Sequence, residues 1–171
     1  MGLRRTPPAN IGSRVEIRPA NVGDADAISA LILSLQPYLT IEPDGAGAEE
    51  FLVTLQPDII RRNLKAENYF YQLAMAGEEL VGVVAMRDDH HLFSLYVAQP
   101  WHGQGVGRLL WQAARDAALA RGNPGRFTVN SSLFAAPAYR KLGFRDSAPM
   151  VQMHGIRFIP MTFSENSDPG G

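Results

Sequence analysis

The chain contains no cysteine. That excludes disulfides, thiolate metal sites and thiol nucleophiles, and it fits a cytoplasmic protein. Long apolar runs are missing too; none approaches the roughly 18 residues of a membrane span, so no membrane partner is expected. Neither sign of charge is in excess. Sixteen Lys and Arg against 17 Asp and Glu leave a formal net charge of -1. An extended nucleic-acid footprint needs a clustered basic surface, so no nucleic-acid partner is expected either. Histidine is scarce, with four in all. The His90-His91 pair lacks a Cys partner or a second spaced His, and no metal is expected.

What is present describes one globular domain. The chain has 171 residues, 46% of them hydrophobic and 19% charged, which is enough for a real core. Residues 1–14 read as a disordered basic tail. Met1-Gly2-Leu3-Arg4-Arg5-Thr6 matches a bare myristoylation pattern, but Pro7-Pro8 and Gly12-Ser13 fit a tail better. Residues 164–171 have nothing to bury and read as a second tail. The domain is expected over residues 15–163.

Within it, Val15 to Arg18 reads as a first strand. Asp24 is a natural N-cap for a helix from Ala25 to about Leu35, with Ile28, Leu31, Ile32 and Leu35 on one face. Pro37 and Pro43 bracket a loop. A helical region spans Ala48 to Leu64 and breaks near Pro57. Tyr69 to Ala76 and Leu80 to Met86 form a hairpin around Gly77. His91 to Val97 is a fourth strand. A long helix runs from about Gly105 to Ala120, and Phe127 to Asn130 is a fifth strand. A short helix from Phe134 ends at Gly143. Val151 to His154 and Ile156 to Phe163 close the domain as a hairpin. The strand–helix–strand passage from Leu92 to Asn130 implies a parallel pair inside an otherwise antiparallel set. The expected fold class is therefore mixed α/β, with helices on both faces of the sheet.

The most informative segment is His102-Gly103-Gln104-Gly105-Val106-Gly107, lying between a strand and a helix. A glycine-rich turn there aims backbone N–H groups at one spot, where the positive end of the helix dipole adds to them. Such a spot binds phosphate. A P-loop is excluded, because Arg108-Leu109 stands where Lys-Ser/Thr is required. A dinucleotide fold fits poorly, because the glycines are spaced by two and Phe127-Thr128-Val129-Asn130 carries no acid.

Val97 to Leu110 instead resembles the coenzyme A loop of the GNAT (N-acetyltransferase) superfamily. Gly105 and Gly107 fit its pattern, while His102 stands where the family has Arg or Gln. Val129 to Phe144 resembles the family's strand, helix and Tyr-x-x-x-Gly-Phe segment. There Ser132 stands where many members have Asn, and Asn130 lies nearby. The start, Ile17-Arg18-Pro19-Ala20 and Asp24 to Ile28, is a third and looser match. The chain is identified as a single-domain, bacterial-type member.

The resemblance implies the GNAT fold: a mostly antiparallel sheet of about seven strands whose fourth and fifth splay apart as a parallel pair. It implies acetyl-CoA as cosubstrate, no metal, and direct transfer to a primary amine, expected to be that of a small molecule. The pyrophosphate would rest on the amides of His102, Gly103, Gln104, Gly105, Val106 and Gly107, with Arg108 as an added charge. The pantetheine arm would pair with the backbone of Leu95, Tyr96 and Val97. Asn130, Ser132 and Ala135 would flank it. Tyr139 would protonate the departing thiolate. His91, Glu78, Glu79, Asp88 and Asp89 are open candidates for the base. Tyr38, Glu42, Asp44 and Met150 are candidates for the acceptor pocket. Two other readings remain open here: a CoA-binding module without transfer activity, and an acetylase of protein N-termini or lysines. Homodimers are common in the family, and the apolar final strands offer a surface for one.

Overall fold

The computed structural model describes residues 14–165. Both expected tails fall almost wholly outside that range. Among the described residues, eight strands form one sheet: β1 (Glu16–Pro19), β2 (Tyr69–Ala76), β3 (Glu79–Arg87), β4 (His91–Val97), β5 (Arg126–Ser132), β6 (Arg145–Asp146), β7 (Val151–Met153) and β8 (Ile156–Ser164). Their order is β1-β2-β3-β4-β5-β8-β6, with β7 also paired to β8. Every pairing is antiparallel except β4 with β5. The eighth strand beyond the expected seven is β6, whose two residues carry no readable periodicity. The last strand also outruns expectation, because Ser164 still pairs with Arg126.

Among the described residues, six α-helices flank the sheet: α1 (Ala25–Ser34), α2 (Gln36–Leu39), α3 (Glu49–Val53), α4 (Pro57–Lys65), α5 (Val106–Ala120) and α6 (Ala136–Leu142). Ile28 and Ile32 of α1 and Ile60 of α4 pack on Tyr71, Leu73, Val83 and Ala85, forming a core on one face. Leu110 and Trp111 of α5 pack with Phe127, Phe144 and Met161 on the other. Strand β3 lies between the two cores. Its apolar run is buried on both sides, as a central strand requires.

Three local readings are corrected. Asp24 does not cap α1 with its side chain. It closes a capping box with Asn21 and forms a two-point ion pair with Arg18, at 2.9 and 3.0 Å. That hydrogen-bonded guanidinium holds the Asp24 carboxyl below its usual range. The segment after Pro37 is not all loop, because Pro37 sits in the first turn of α2, where a missing N–H costs nothing. Helix α6 begins at Ala136 rather than Phe134.

Gly82, in β3, sets the distance from α5 to the sheet. A Cβ there would lie 2.8 Å from Leu110 Cδ1 and 3.3 Å from Val106 Cγ1. Its absence lets the first turns of α5 lie against the strand.

Candidate active site

The site begins with an irregularity in β4. Ser94 pairs with Ala85 and Leu92 with Met86, so Phe93 is an extra residue, a β-bulge. Pairing between β4 and β5 is confined to His91 with Thr128 and Leu92 with Val129. Beyond the bulge the two strands separate. A cleft of about 660 Å³ opens there, within the usual range for small-molecule sites.

One wall is the freed edge of β4. Ala98 N donates to Val81 O at 2.8 Å, which makes that pair a bonded one. Antiparallel ladders alternate, so Leu95 and Val97 turn their N–H and C=O groups away from β3, toward the cleft. Tyr96 is thereby corrected as a backbone contact. It pairs with Val83, so its backbone groups face β3, although the residue still lines the cleft. His102 Nε2 contacts Val97 O at 2.6 Å. A carbonyl only accepts, so that nitrogen carries the proton. The donors and acceptor that remain on this edge are the Leu95 N–H and C=O and the Val97 N–H.

At one end of the cleft lies the glycine turn. Gly103 and Gly105 have φ of 76° and 88°, values that strain any residue with a Cβ. Gly105 is the N-cap of α5 and offers no side-chain cap. The first intrahelical bond is Leu109 N to Gly105 O. The amides of Val106, Gly107 and Arg108 therefore have no helical partner and add to the helix's positive end. His102, Gly103, Gly105, Val106, Gly107 and Arg108 all line the cleft. Gln104 does not, and its side chain turns back to donate to Pro100 O at 3.0 Å.

The opposite wall comes from β5 and α6. Asn130, Ser132, Ala135 and Tyr139 line the cleft, joined by Lys141. Ser132 Oγ accepts from Ala135 N at 3.1 Å and so closes the turn into α6. Gly143, at φ 107°, ends the helix. Phe144 N bonds back to Tyr139 O at 3.0 Å, the wide reach of a Schellman cap. That cap locks the register of Tyr139, which is 6% exposed. Burial raises the Tyr139 phenol above its ordinary value, and the nearby Tyr96 raises it further. Burial likewise pushes Tyr96 up to about 12.

The candidates for a base fare differently. His91, Glu78, Glu79, Asp88 and Asp89 are all absent from the lining of the cleft. His91 sits at the paired end of β4, 2.7 Å from Thr128 Oγ1. Burial, aided by Arg87, lowers its imidazole to about 4. Of the acceptor-pocket candidates Tyr38 lines the cleft, whereas Glu42, Asp44 and Met150 do not. Tyr38 accepts from Gln99 Nε2 at 3.0 Å and packs on Phe134 with ring centroids 4.4 Å apart. Sequence reasoning missed Phe93, Phe134 and Lys141 as lining residues. The readable signal for Phe134 was a large aromatic residue just before a helix start.

Comparison with known proteins follows the same lines. Residues 39–165 match the family described as acetyltransferase (GNAT) domain. Among solved structures, a GCN5-related N-acetyltransferase from Rhodopseudomonas palustris is 24% identical, with a TM-score of 0.72 over 87% of this chain and 94% of that one. PaiA N-acetyltransferase from Thermoplasma acidophilum, solved with coenzyme A, is 16% identical, with a TM-score of 0.70 over 88% and 98%. The spermidine N-acetyltransferase SpeG from Vibrio cholerae is 14% identical, with a TM-score of 0.62 over 90% and 95%. A comparison with curated proteins finds no match. The chain belongs to the GNAT family of N-acetyltransferases, a family that uses acetyl-CoA.

Proposed function

We propose that the cleft between β4 and β5 binds acetyl-CoA and that the chain transfers its acetyl group to the primary amine of a small molecule. One observation carries this reading. The bulge at Phe93 ends strand pairing and opens a cleft with unpaired amides at its mouth and a buried phenol on its wall. The residues present fit the group. Val106 to Arg108 offer N–H groups and a cation to a pyrophosphate. Leu95 and Val97 offer the edge of a strand to an amide-rich arm.

Acetyl-CoA supplies an activated acyl carbon, and attack by the amine forms a C–N bond as the C–S bond breaks, the sulfur keeping the electron pair. Tyr139 donates its phenolic proton to that sulfur, and the proton shed by the newly acylated nitrogen returns to the phenolate through water, which restores the phenol. Its raised pKa keeps it protonated at rest, and the same burial raises the proton affinity of any thiolate beside it. No carboxylate lines the cleft among the described residues, so the proton of the attacking ammonium leaves through water. A small amine as acceptor is supported by the relative named as a spermidine N-acetyltransferase. The lack of cysteine supports a cytoplasmic setting. Among the described residues, no helix is long and apolar enough to cross a membrane.

Calorimetric titration with CoA, paired with amine-dependent release of free thiol from acetyl-CoA, tests the proposal. Saturable binding and thiol release that rises with amine support it. CoA binding without amine-dependent release identifies a binding module instead.

A further inference from the structure

His102 stands at the corner of the cleft where the glycine turn meets the free edge of β4. Its Nε2 donates to Val97 O at 2.6 Å, so the ring spans the two. That bond places the proton on Nε2 and leaves Nδ1 as the unprotonated nitrogen of the neutral ring. Nδ1 has no hydrogen-bond partner among the described residues, and it is not sealed from solvent. The ring lies against Phe134 and Tyr38, at centroid distances of 6.0 and 6.4 Å. Both line the cleft, and Leu35 and Leu39 continue the apolar wall beside Tyr38. Such neighbours exclude water, which strengthens the interaction of the imidazole with a charge placed next to it. The other ionisable groups of the lining are the phenols of Tyr38 (α2), Tyr96 (β4) and Tyr139 (α6) and the side chains of Arg108 (α5) and Lys141 (α6). No aspartate or glutamate lines the cleft among the described residues, so the lining holds no counter-charge for an imidazolium. A pyrophosphate on the amides of Val106 to Arg108 would bring one.

We infer that His102 is a proton-dependent contact of the donor: its imidazolium bridges Val97 O through Nε2 and a pyrophosphate oxygen through Nδ1. The bridge ties the strand edge that receives the arm to the turn that receives the phosphates. The inference rests on the proposed CoA reading and adds to it a side-chain contact and a pH dependence. The extra proton enters on Nδ1 from solvent and makes the bond to phosphate a charge-assisted one. Histidine is the one residue type in this lining whose ordinary titration falls between pH 5 and 8. The effect is reciprocal. A proton that strengthens pyrophosphate binding is itself held more tightly once the pyrophosphate is bound.

The test titrates the full chain calorimetrically with dephospho-CoA at pH 6 and pH 8, in two buffers of different ionisation enthalpy. This ligand keeps the pyrophosphate but lacks the 3′-phosphomonoester, a group whose own second proton titrates at about pH 6. The parent is expected to bind about fivefold more tightly at pH 6 and to take up a proton on binding. His102→Gln cannot gain a charge, and its affinities at the two pH values should agree within about twofold. His102→Lys carries a charge throughout this range. It should also lose the pH dependence and should bind more tightly than His102→Gln at pH 8. Binding by the parent with a flat pH profile overturns the inference and leaves the CoA reading standing. A His102→Gln variant weakened by the same factor at both pH values keeps the difference and also overturns it, since His102 is then only a brace for Val97. No binding by the parent at either pH overturns the CoA reading and the inference with it.

Discussion

Replacing Gly82 by valine links the packing of the sheet to the binding of phosphate. The first added carbon would lie 2.8 Å from Leu110 Cδ1, 3.3 Å from Val106 Cγ1 and 3.3 Å from Tyr96 O. Leu110 can turn aside, but Tyr96 O is backbone and Val106 opens the helix. Two further methyl groups leave α5 no choice but to rise from β3. Overpacking of this kind costs about 1 to 3 kcal/mol. Loss of a flexible glycine from the unfolded chain returns about 0.4 to 1 kcal/mol, so a net loss of about 1 to 2 kcal/mol is expected. The functional effect is separate. In the proposed site Val106, Gly107 and Arg108 would supply the amides of the cradle, and a displaced first turn would weaken all three contacts together. The dissociation constant for CoA should rise about tenfold, equivalent to about 1.4 kcal/mol. Urea unfolding and calorimetric titration with CoA measure the two effects. Ile60→Val is the control. It lies in the other core, is 3% exposed, and should cost about 0.5 to 1.5 kcal/mol with CoA affinity unchanged. If Gly82→Val loses stability yet binds CoA as the parent does, the α5 amides do not hold the phosphate.

Two further predictions concern the ends of the sheet. Gly155 has φ 75°, and a Cβ there would sit 2.5 Å from the backbone of Gly47. Gly155→Ala should cost about 2 to 4 kcal/mol, from left-handed strain and a backbone clash, and should speed hydrogen exchange at Ile41, whose amide bonds Gly155 O at 2.9 Å. A loss below about 1 kcal/mol would show that the loop simply moves away. His91 predicts a pH effect. Its imidazole falls from 6.5 to about 4 on folding, chiefly through burial. Above pH 6.5 both states are neutral and the group adds no pH dependence. As pH falls toward 4 the unfolded chain takes up a proton that the fold excludes, and stability is lost. Partial exposure limits that loss to about 1 to 2 kcal/mol. Urea midpoints at pH 7 and pH 4 should differ less in His91→Gln than in the parent, and equal differences would count against a buried neutral imidazole.

Much of the site was legible because the residues that build it are local. Gly103, Gly105 and Gly107 lie within five positions, and Tyr139 lies four residues before Gly143, the cap of its helix. Turn chemistry and helix capping act over that range, and a sequence records them directly. The bulge at Phe93 was not legible. It lies in Leu92-Phe93-Ser94-Leu95-Tyr96-Val97, a mostly apolar run with no exposed residue, so no clean in–out alternation marks where an extra residue enters. Its consequence is large, since it frees the backbone edges of Leu95 and Val97 while leaving Tyr96 bonded within the sheet. The candidates for a base failed for a related reason. His91, Asp88 and Asp89 are close to the site in sequence, but β4 carries the cleft at its far end. Gln104 illustrates the finer limit, because the turn that presents its neighbours points its own side chain to Pro100. The wall formed by Leu35, Leu39 and Phe134 depends on two segments nearly a hundred positions apart meeting across the sheet, which no local pattern encodes.

The most direct test of the account is Tyr139→Phe, followed by thiol release, CoA titration and urea unfolding on one preparation. Tyr139 is buried in the core beside Phe144, and its phenol has no hydrogen-bond partner among the described residues, so removing its oxygen should leave the unfolding midpoint unchanged or slightly raised. CoA affinity should stay within about twofold, because the cradle lies at the other end of the cleft. Only kcat should fall, by about a hundredfold or more, the usual worth of a general acid. A variant that transfers acetyl at the full rate would contradict the account, since the buried phenol would then be part of the core and not of the chemistry.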